Sequence, residues 1–336
     1  NKRWSHQLYV LDNHYKTKYD GYLTDIKTRA FGDQVTYKAK DHTVVGGFDW
    51  RQDKVVNMGG IKLTNTSYFL QDEWKVAPKW TVTPGVRVDH HSAFGTHTSP
   101  SISVGYDVNA KTNVYAAYKE YFLAPTSYQL FDGTYGNRNL KPETGHEWSV
   151  GAHHKFGKTW NSNLSFFSRS TKDKIGWATN PATGTVQYQN FDTEKAHGIN
   201  ADVRKQLTKH LSARLGYTYT HIDATPTRKA NRDGYVPKHA VNAGLDYNDA
   251  KWDAHLDIRG VIDRPGPAAN IFPRTTYWIT DISANYRVRE NVTVFGRVNN
   301  LFDTYYAEQS NVRWGNAGDW WPGQGRNFRL GVEVTI

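Results

Sequence analysis

Six aromatic side chains stand in the predicted connections between strands, where they could bind a ligand. Aromatic rings stack on a large polar ligand and neighbouring amides hydrogen-bond to it, in a pocket that is otherwise largely apolar. Each ring could instead pack its own loop or lie in an aromatic girdle at a membrane surface. The predicted ligand-binding residues are Tyr128, Phe131, Tyr135, Trp314, Trp320 and Trp321.

The residue types support metal binding and thiol chemistry less well than they support ligand binding by aromatic side chains. The chain has no cysteine, which excludes disulfides, thiolate nucleophiles and thiolate metal sites. Asp and Asn side chains in the long connections could hold Ca²⁺ through oxygen ligands. No connection has a ligand spacing specific enough to name the metal ligands, and no motif requires a cofactor.

The charge and apolar content of the chain narrow its class. Lys and Arg number 42 against 32 Asp and Glu, a formal charge of +10. The basic residues are scattered singly, without the concentrated face that a nucleic-acid site needs, so nucleic acid is not an expected partner. No apolar run approaches the roughly 20 residues of a transmembrane helix.

Alternation with a period of two residues dominates the sequence. Trp252–Ile262 and Phe328–Ile336 each place apolar residues on one face of a strand and charged or small residues on the other. The same pattern recurs in Ile102–Val108, Leu211–Tyr219 and Trp278–Val288. The sequence predicts an all-β fold.

Short and long connections alternate between these strands. Seven short and eight long connections imply sixteen strands. The short ones lie at Ala39–Lys40, Pro78, Asn109–Lys111, Gly157–Lys158, Leu207–Lys209, Asn248–Ala250 and Glu290. The long ones lie at Tyr15–Leu23, Asp53–Asn65, His91–Thr98, Ala124–Glu143, Asp173–Thr185, Asp223–Lys238, Asp263–Arg274 and Asn300–Gly325.

Alternating connection lengths are typical of an antiparallel transmembrane β-barrel of the bacterial outer membrane. The apolar face would contact lipid, the polar face would line a lumen, and both termini would be periplasmic. A large soluble β-sandwich or propeller is the alternative. Aromatic residues at strand ends favour the membrane barrel, since such barrels carry aromatic girdles. These residues are Tyr68, Trp74, Trp80, Tyr121, Trp160 and Trp278.

Five stretches, in order, resemble motifs of TonB-dependent outer-membrane transporters. Each is weak alone, and together they indicate the family. One departure is Arg138, which stands where the family's Asn-Pro-x-Leu-x-Pro-Glu motif has its first Pro. The stretches are TSYFLQDEWKVAPKWTVTPGVRVDHHS (66–92), YFLAPTSYQLFDGTYGNRNLKPETGHEWSVG (121–151), YQNFDTEKAHGINADV (188–203), VNNLFDTYYAEQSNV (298–312) and PGQGRNFRLGVEVTI (322–336).

The resemblance implies structural roles for the motif residues and no enzymatic activity. Glu143 is expected to anchor the base of a loop and Asn300 to shape a strand end. The full set of motif residues is Asn139, Leu140, Pro142, Glu143, Asn300, Leu301, Phe302 and Asp303.

The resemblance also implies a barrel larger than this chain supplies. Family members have twenty-two strands around a plug, so residues 1–336 would correspond to family strands 7–22, without the plug and the first six strands. The chain could be one subunit of a split transporter, whose second chain carries the plug and about six strands and engages the TonB complex. It could be a fragment of a longer polypeptide. It could also close alone as a sixteen-stranded, porin-like diffusion channel.

Ligand identity follows from the resemblance of one loop. YQLFDGTYGNRNLKPE (128–143) looks most like the corresponding loop of vitamin B12 receptors, which makes cobalamin the first candidate ligand. Iron siderophores and haem are the alternatives. The loop has no His between Pro125 and Leu140, which disfavours haem, whereas His90, His91 and His97 in or near another connection keep haem open.

Overall fold

Nearly all of the regular structure is β-strand. The structure, a computed structural model, describes residues 3–19, 22–179, 184–191, 193–223, 236–264, 276–310 and 320–335. One short helix, α1 (Ser127–Phe131), and one 3₁₀ turn (Val56–Met58) are present in these segments. No helix among the described residues is long and apolar enough to cross a membrane.

Twenty strands account for the remaining regular structure of the described residues. They are β1 (Trp4–Tyr19), β2 (Tyr22–Lys38), β3 (His42–Val55), β4 (Ile61–Ala77), β5 (Trp80–His91), β6 (Gly95–Asn109), β7 (Thr112–Leu123), β8 (Glu143–Phe156), β9 (Trp160–Lys172), β10 (Lys174–Thr179), β11 (Val186–Phe191), β12 (Glu194–Gln206), β13 (Leu211–Asp223), β14 (His239–Asn248), β15 (Trp252–Ile262), β16 (Tyr277–Arg289), β17 (Val292–Asn299), β18 (Ala307–Ser310), β19 (Trp320–Pro322) and β20 (Asn327–Val334).

Sixteen of these strands form one antiparallel sheet, as the sequence predicts. Its order is β1 to β9, then β12 to β17, then β20. The other four strands form two small hairpins, β10–β11 and β18–β19, inside long connections. The all-β class and the number of main strands are therefore confirmed.

The predicted alternation appears in the register. Between β4 and β5, Tyr68 pairs with Val88 and Leu70 with Val86, whereas Ser67 pairs with Asp89 on the opposite side of the sheet. The apolar face is open: Leu330 of β20, for example, exposes 85% of its surface. Successive residues of a strand point to opposite faces, so the sheet has an exposed apolar face and a charged polar face.

The chain divides into two compact units. The first comprises Asn1–Val108, Val114–Val150 and Ser168–Lys195. Its buried apolar cluster is formed by Leu63, Leu130, Leu140 and Ile175. The second comprises Asn109–Asn113, Gly151–Phe167 and Ala196–Ile336, and its buried cluster is formed by Val261, Tyr277, Ile279 and Tyr306.

The first three long connections are shorter than predicted. β1 and β2 pair as far as Tyr19 and Tyr22, so most of 15–23 is strand. Tyr and Thr alternate with Lys there, and this pattern favours a strand that continues beyond its apolar part. The connection after β3 is only 56–60, where Gly59 and Gly60 adopt φ values of 72° and 71°. Glycine tolerates this left-handed conformation, which allows a tight turn.

The predicted aromatic strand ends are exposed in five of six cases. Tyr68, Trp74, Trp80, Trp160 and Trp278 lie open on the surface. Tyr121 differs: it is half-buried, and its hydroxyl lies 2.5 Å from the hydroxyl of Thr171. Tyr121 is therefore a packing residue and its predicted girdle position is wrong.

Candidate ligand-binding site

The connection between β7 and β8 is an ordered loop built on α1. Thr126 caps the helix: its hydroxyl accepts a hydrogen bond from the Gln129 N–H, and the Gln129 side chain accepts one from the Thr126 N–H. This reciprocal capping box satisfies two donors that a helix start leaves unpaired. Asp132 ends the helix and its carboxylate accepts hydrogen bonds from the N–H groups of Thr134 and Tyr135.

Two contacts fasten this loop to the first unit. Leu130 and Leu140 are each 3% exposed and pack with Leu63 and Ile175. Glu143, at the start of β8, is buried and ion-paired to Lys174 at 2.9 Å, and its other oxygen accepts the Ile175 N–H at 2.9 Å. Leu140 and Glu143 thus tie the loop to β10.

Hydrogen bonds from asparagine side chains to main-chain groups also join the loop to the β10–β11 hairpin. Asn137 donates to the Tyr188 carbonyl at 2.9 Å, and Asn190 both accepts from the Lys141 N–H and donates to the Lys141 carbonyl. Asn139 donates its N–H to the Asn137 side chain at 2.9 Å, and Pro142 is half-buried beside Glu143. The loop and the hairpin are therefore held together by several hydrogen bonds.

A cavity of about 900 Å³ lies between this loop and the polar face of the first unit. Its loop wall is formed by residues 123–127. Its polar and charged lining residues are Thr28, Arg51, Asp53, Asn65, Arg87, Asp89, His91, Ser99, Ser101, Lys119 and Glu120. The volume falls within the usual range for sites that hold a small molecule.

The Arg87 cluster, formed by Arg87, Asp49, Asp89, Ser67 and Asn65, organises the polar face beside the cavity. Arg87 donates to Asp89 at 3.0 Å, to Asp49 at 3.1 Å and to the Ser67 hydroxyl at 2.5 Å. Asn65 donates to Asp89 at 2.8 Å. Ser67 and Asp89 are buried. The guanidinium therefore holds two carboxylates and a hydroxyl from three neighbouring strands in one arrangement.

A second ion pair and a histidine complete the charged lining. Arg51 donates to both oxygens of Asp53, at 3.0 and 3.1 Å, and the Thr28 hydroxyl donates to the same carboxylate at 2.5 Å. His91 is 7% exposed, stacks on Phe94 with ring centres 4.9 Å apart, and accepts the Ala93 N–H at its Nδ1. His90 in β5 and His97 in β6, the other two histidines considered for haem, do not line the cavity.

The predicted loop aromatics are not gathered around this cavity. Phe131 is half-buried against the leucine cluster, with the Arg138 guanidinium 5.4 Å from its ring centre. Tyr128 is 38% exposed and contacts Tyr188 edge-on, with ring centres 6.1 Å apart. Tyr135 is half-buried and its carbonyl accepts the Tyr188 N–H at 3.0 Å. The contacts of all three residues are therefore with other residues of the loop, the leucine cluster and the hairpin.

The side chains of the three predicted tryptophans all lie outside the described part of the chain. Trp314 lies outside the described residues. Trp320 and Trp321 belong to β19, which pairs with β18, and their side chains lie outside the described part of the chain. Their proposed contact with a ligand stays a prediction.

The second motif segment forms a buried turn at the end of β17. Asn300 is 2% exposed with φ 50°, and its amide donates to the carbonyls of Thr304 and Gln324 while its oxygen accepts the Thr304 N–H. Leu301 donates its N–H to the Thr280 carbonyl, and Asp303 accepts the Arg326 N–H at 2.8 Å. Phe302 is 71% exposed. The side chain of Asn300 thus hydrogen-bonds to backbone N–H and C=O groups of the turn that have no partner in a strand ladder.

The charged residues of the cavity were not singled out by the sequence. Arg87 and Asp89 lie in the Gly-x-Arg strand of the 66–92 stretch, where alternation already places them on one face with His91. A search for like-facing charges on adjacent predicted strands would have indicated them. Among the described residues, no group of three or more His, Asp or Glu side chains is arranged to hold a metal ion.

Comparison with known proteins identifies the family. The "TonB dependent receptor-like, beta-barrel" family matches residues 2–301. The chain belongs to the TonB-dependent receptors. It is part of an outer-membrane β-barrel family whose members are transport receptors and not enzymes.

Individual relatives of this TonB-dependent receptor chain are distant. It is 27% identical to an iron-regulated outer membrane virulence protein of Vibrio cholerae serotype O1, over 86% of this chain and 47% of the relative. It is 26% identical to the vitamin B12 transporter BtuB of Photobacterium profundum, over 78% of this chain and 43% of the relative. The chain therefore spans about half the length of the relatives that it matches.

The fold agrees with a solved structure. The siderophore receptor PirA of Pseudomonas aeruginosa superposes with a TM-score of 0.73 at 19% identity, covering 98% of this chain and 59% of PirA. Agreement at this identity concerns the fold of the receptor barrel.

Proposed function

We propose that residues 1–336 are the barrel portion of a TonB-dependent transporter that takes up cobalamin, a scarce and large ligand, across the bacterial outer membrane. The observation that carries the proposal is a cavity of about 900 Å³ under the β7–β8 loop, in a chain of this receptor family. In such a barrel the apolar face contacts lipid and the polar face, with the Arg87 cluster, lines the lumen.

The charge of the cavity favours cobalamin over a highly anionic ligand. Its three cationic side chains, Arg51, Arg87 and Lys119, each have an acidic partner within about 3 Å: Asp53, Asp89 and Glu147. A site with its positive charges already neutralised offers little net attraction to a polyanion. Cobalamin has many amide groups and little net charge, so it suits hydroxyls, amides and paired ions.

Ferric siderophores are the second candidate, because relatives point to iron. The chain is 25% identical to the ferric enterobactin receptor PirA over 72% of its length, and it also resembles the iron-regulated protein of Vibrio cholerae. A ferric triscatecholate carries several negative charges, so uptake of one would require cationic residues from elsewhere in the receptor.

The rest of the machinery is proposed by analogy with the family. Residues 1–336 correspond to family strands 7–22, both termini face the periplasm, and a plug with about six further strands is supplied by a second chain or by another part of the same polypeptide. The plug engages the TonB complex. Loop Asp and Asn residues could hold Ca²⁺, although none of the ion pairs described above requires it.

Equilibrium binding of three ligands to the complete receptor tests the proposal. Cobalamin, ferric enterobactin and haem are titrated separately into the detergent-purified receptor, and the Arg51→Ala variant serves as a cavity variant. We expect cobalamin to bind and the variant to weaken its binding about tenfold, as expected for loss of one hydrogen-bonded contact. Binding of ferric enterobactin alone would favour the second candidate, and binding of haem alone would contradict both.

Conductance separates a transporter from a passive pore. The complete receptor in a planar bilayer is expected to stay closed, because a plug fills the lumen. A large steady current from the complete receptor would support the porin-like alternative instead.

A further inference from the structure

The second unit contains a pair of histidines that does not line the cavity. His197 in β12 and His221 in β13 belong to neighbouring strands, and their ring centres are 4.9 Å apart with the planes tilted by 44°. His197 is exposed and the His221 side chain is 43% exposed. His197 lies in the 188–203 family stretch, but neither histidine is among the motif residues that were expected to have structural roles.

The ring separation matches that of two imidazoles sharing one metal ion. A zinc or copper ion bonds each imidazole nitrogen at about 2.0 Å, and N–metal–N angles between square planar and tetrahedral then place the ring centres about 4.5–5 Å apart. Stacked or T-shaped packing of two rings is also found at this distance. The separation is therefore compatible with both ring packing and metal binding. The hydrogen bonds of each ring show whether a nitrogen is available to a metal ion.

Hydrogen bonding leaves suitable nitrogens available. The Nε2 of His221 lies 3.1 Å from the Oδ1 of Asp223, so the ring donates its Nε2–H to that carboxylate. This contact fixes the tautomer in which Nδ1 carries the lone pair. Histidines that bind metals usually donate their second nitrogen to a carboxylate in this way, which orients the ring and makes the ligating nitrogen more basic.

The partner histidine is not committed to another contact. Among the described residues, His197 has no hydrogen bond and its one ring contact is with His221. His239 of β14, by contrast, has its Nδ1 2.7 Å from the Tyr217 hydroxyl, stacks on the Tyr217 ring and lies tilted against the Tyr219 ring. His197 and His221 thus each keep a nitrogen free of hydrogen bonds next to a second imidazole, whereas the ring contacts of His239 are with two tyrosines.

We propose that His197 and His221 form a binding site for a divalent transition-metal ion, with Asp223 orienting His221. Imidazole nitrogens select Cu²⁺, Zn²⁺ and Ni²⁺ in preference to Mg²⁺ and Ca²⁺, which require oxygen ligands. The affinity order is expected to be Cu²⁺ above Ni²⁺ and Zn²⁺. Water fills the remaining positions.

The position of the pair indicates what the metal would do. His221 stands two residues before the end of β13, and the long connection that follows leads to β14. A metal shared by β12 and β13 would clamp these strands together where the ladder ends. The expected effect is local stabilisation of the strand ends by the bound ion, since a ligand that binds only the folded state raises its stability.

Copper titration of the complete receptor in detergent tests the site. Because the chain has 14 histidines, the readout is the difference between matched variants and not total binding. Electron paramagnetic resonance counts the nitrogens on the tightest Cu²⁺, and we expect two. His197→Ala and His221→Ala should each remove one nitrogen and weaken this copper at least tenfold, and Asp223→Asn should weaken it about tenfold.

Matched controls separate metal binding from damage to the fold. His239→Ala removes a histidine of β14 that contacts two tyrosine rings and no second imidazole among the described residues, and its copper spectrum should equal that of the unchanged receptor. Zn²⁺ should raise the unfolding temperature of the unchanged receptor and of His239→Ala, but not of His197→Ala. Identical two-nitrogen spectra in the unchanged receptor, His197→Ala and His221→Ala would overturn the proposal, as would loss of the signal in His239→Ala alone.

Discussion

Each unit has one arginine cluster on its polar face. The two clusters contain the same kinds of ion pair but differ in how exposed the acidic side chains are. Arg87 holds Asp49, Asp89 and Ser67 in the first unit. In the second unit the Arg214 cluster joins Arg214 to Asp257 and Asp246, and His255 bridges Asp246 and Asp253. Each cluster collects carboxylates from neighbouring strands around one guanidinium.

Burial of the acidic partners separates the two clusters. The Asp89 side chain is 9% exposed, whereas that of Asp257 is 46% exposed. A buried carboxylate that loses its cation has no water to replace it, but an exposed one is solvated again. Similar ion pairs should therefore differ in their contribution to stability, and the cluster beside the cavity should be the less tolerant of substitution.

Removing the guanidinium of the first cluster should have the largest effect. Arg87→Ala leaves the buried Asp89 carboxylate and the Ser67 hydroxyl without their shared donor. We expect a loss of about 2–3 kcal/mol in the free energy of unfolding, measured by urea titration of the complete receptor in detergent. Arg87→Lys, which keeps the charge without the forked geometry, should recover only part of it.

Removing a neutral donor from the same cluster should cost less. Asn65→Ala deletes the 2.8 Å hydrogen bond to Asp89 but leaves the Arg87 charge in place. The expected loss is about 1 kcal/mol in the same urea titration. If this loss equalled that of Arg87→Ala, burial of the hydrogen bonds and not the ion pair would explain the first cluster.

The corresponding substitution in the second cluster should cost less still. Arg214→Ala frees Asp246 and Asp257, which water can reach, so the expected loss is about 0.5–1 kcal/mol. High salt should reduce the difference between Arg214→Ala and the unchanged receptor, because exposed pairs are screened. A loss as large as that of Arg87→Ala would show that burial does not separate the clusters.

The smallest effect is expected in the turn between β14 and β15, next to the second cluster. The Tyr247 hydroxyl and the N–H groups of Trp252 and Lys251 donate to the Asp249 carboxylate and lower its pKa to about 2, below the ordinary value of 3.8. A lowered folded-state pKa stabilises the fold above pH 3.8, and this contribution is lost as the pH falls towards 2.

Asp249→Asn removes the titrating carboxylate. The unfolding temperature of this variant should therefore fall less steeply as the pH is lowered. The measurement is the unfolding temperature between pH 5 and pH 2, compared with that of the unchanged receptor. Parallel curves for the two proteins would contradict the prediction, because they would mean that the turn does not contribute to acid sensitivity.

Local pattern accounts for the parts of this fold that were predicted. The period-two alternation placed apolar and polar residues on opposite faces, and Gly, Pro, Asn or Asp marked four of the seven short turns. The strand number and the all-β class were therefore readable from neighbouring residues. Family motifs in order indicated the receptor family.

The contacts between side chains of different strands could not be predicted from the local sequence pattern. The meeting of Arg87 with Asp49, of Glu143 with Lys174 and of His197 with His221 depends on which strands pair and in what register. The lengths of the first three long connections and the β10–β11 hairpin were also missed, because polar strands that continue beyond the apolar band have the same composition as loops.

The sequence by itself therefore determined the class, the strands, the turns and the family of this protein, since each depends on residues close in the chain. Only the tertiary structure decided which charges share a cavity and which are solvated. Side chains far apart in sequence become neighbours when strands pair, and a one-residue change of register would turn every one of them to the other face.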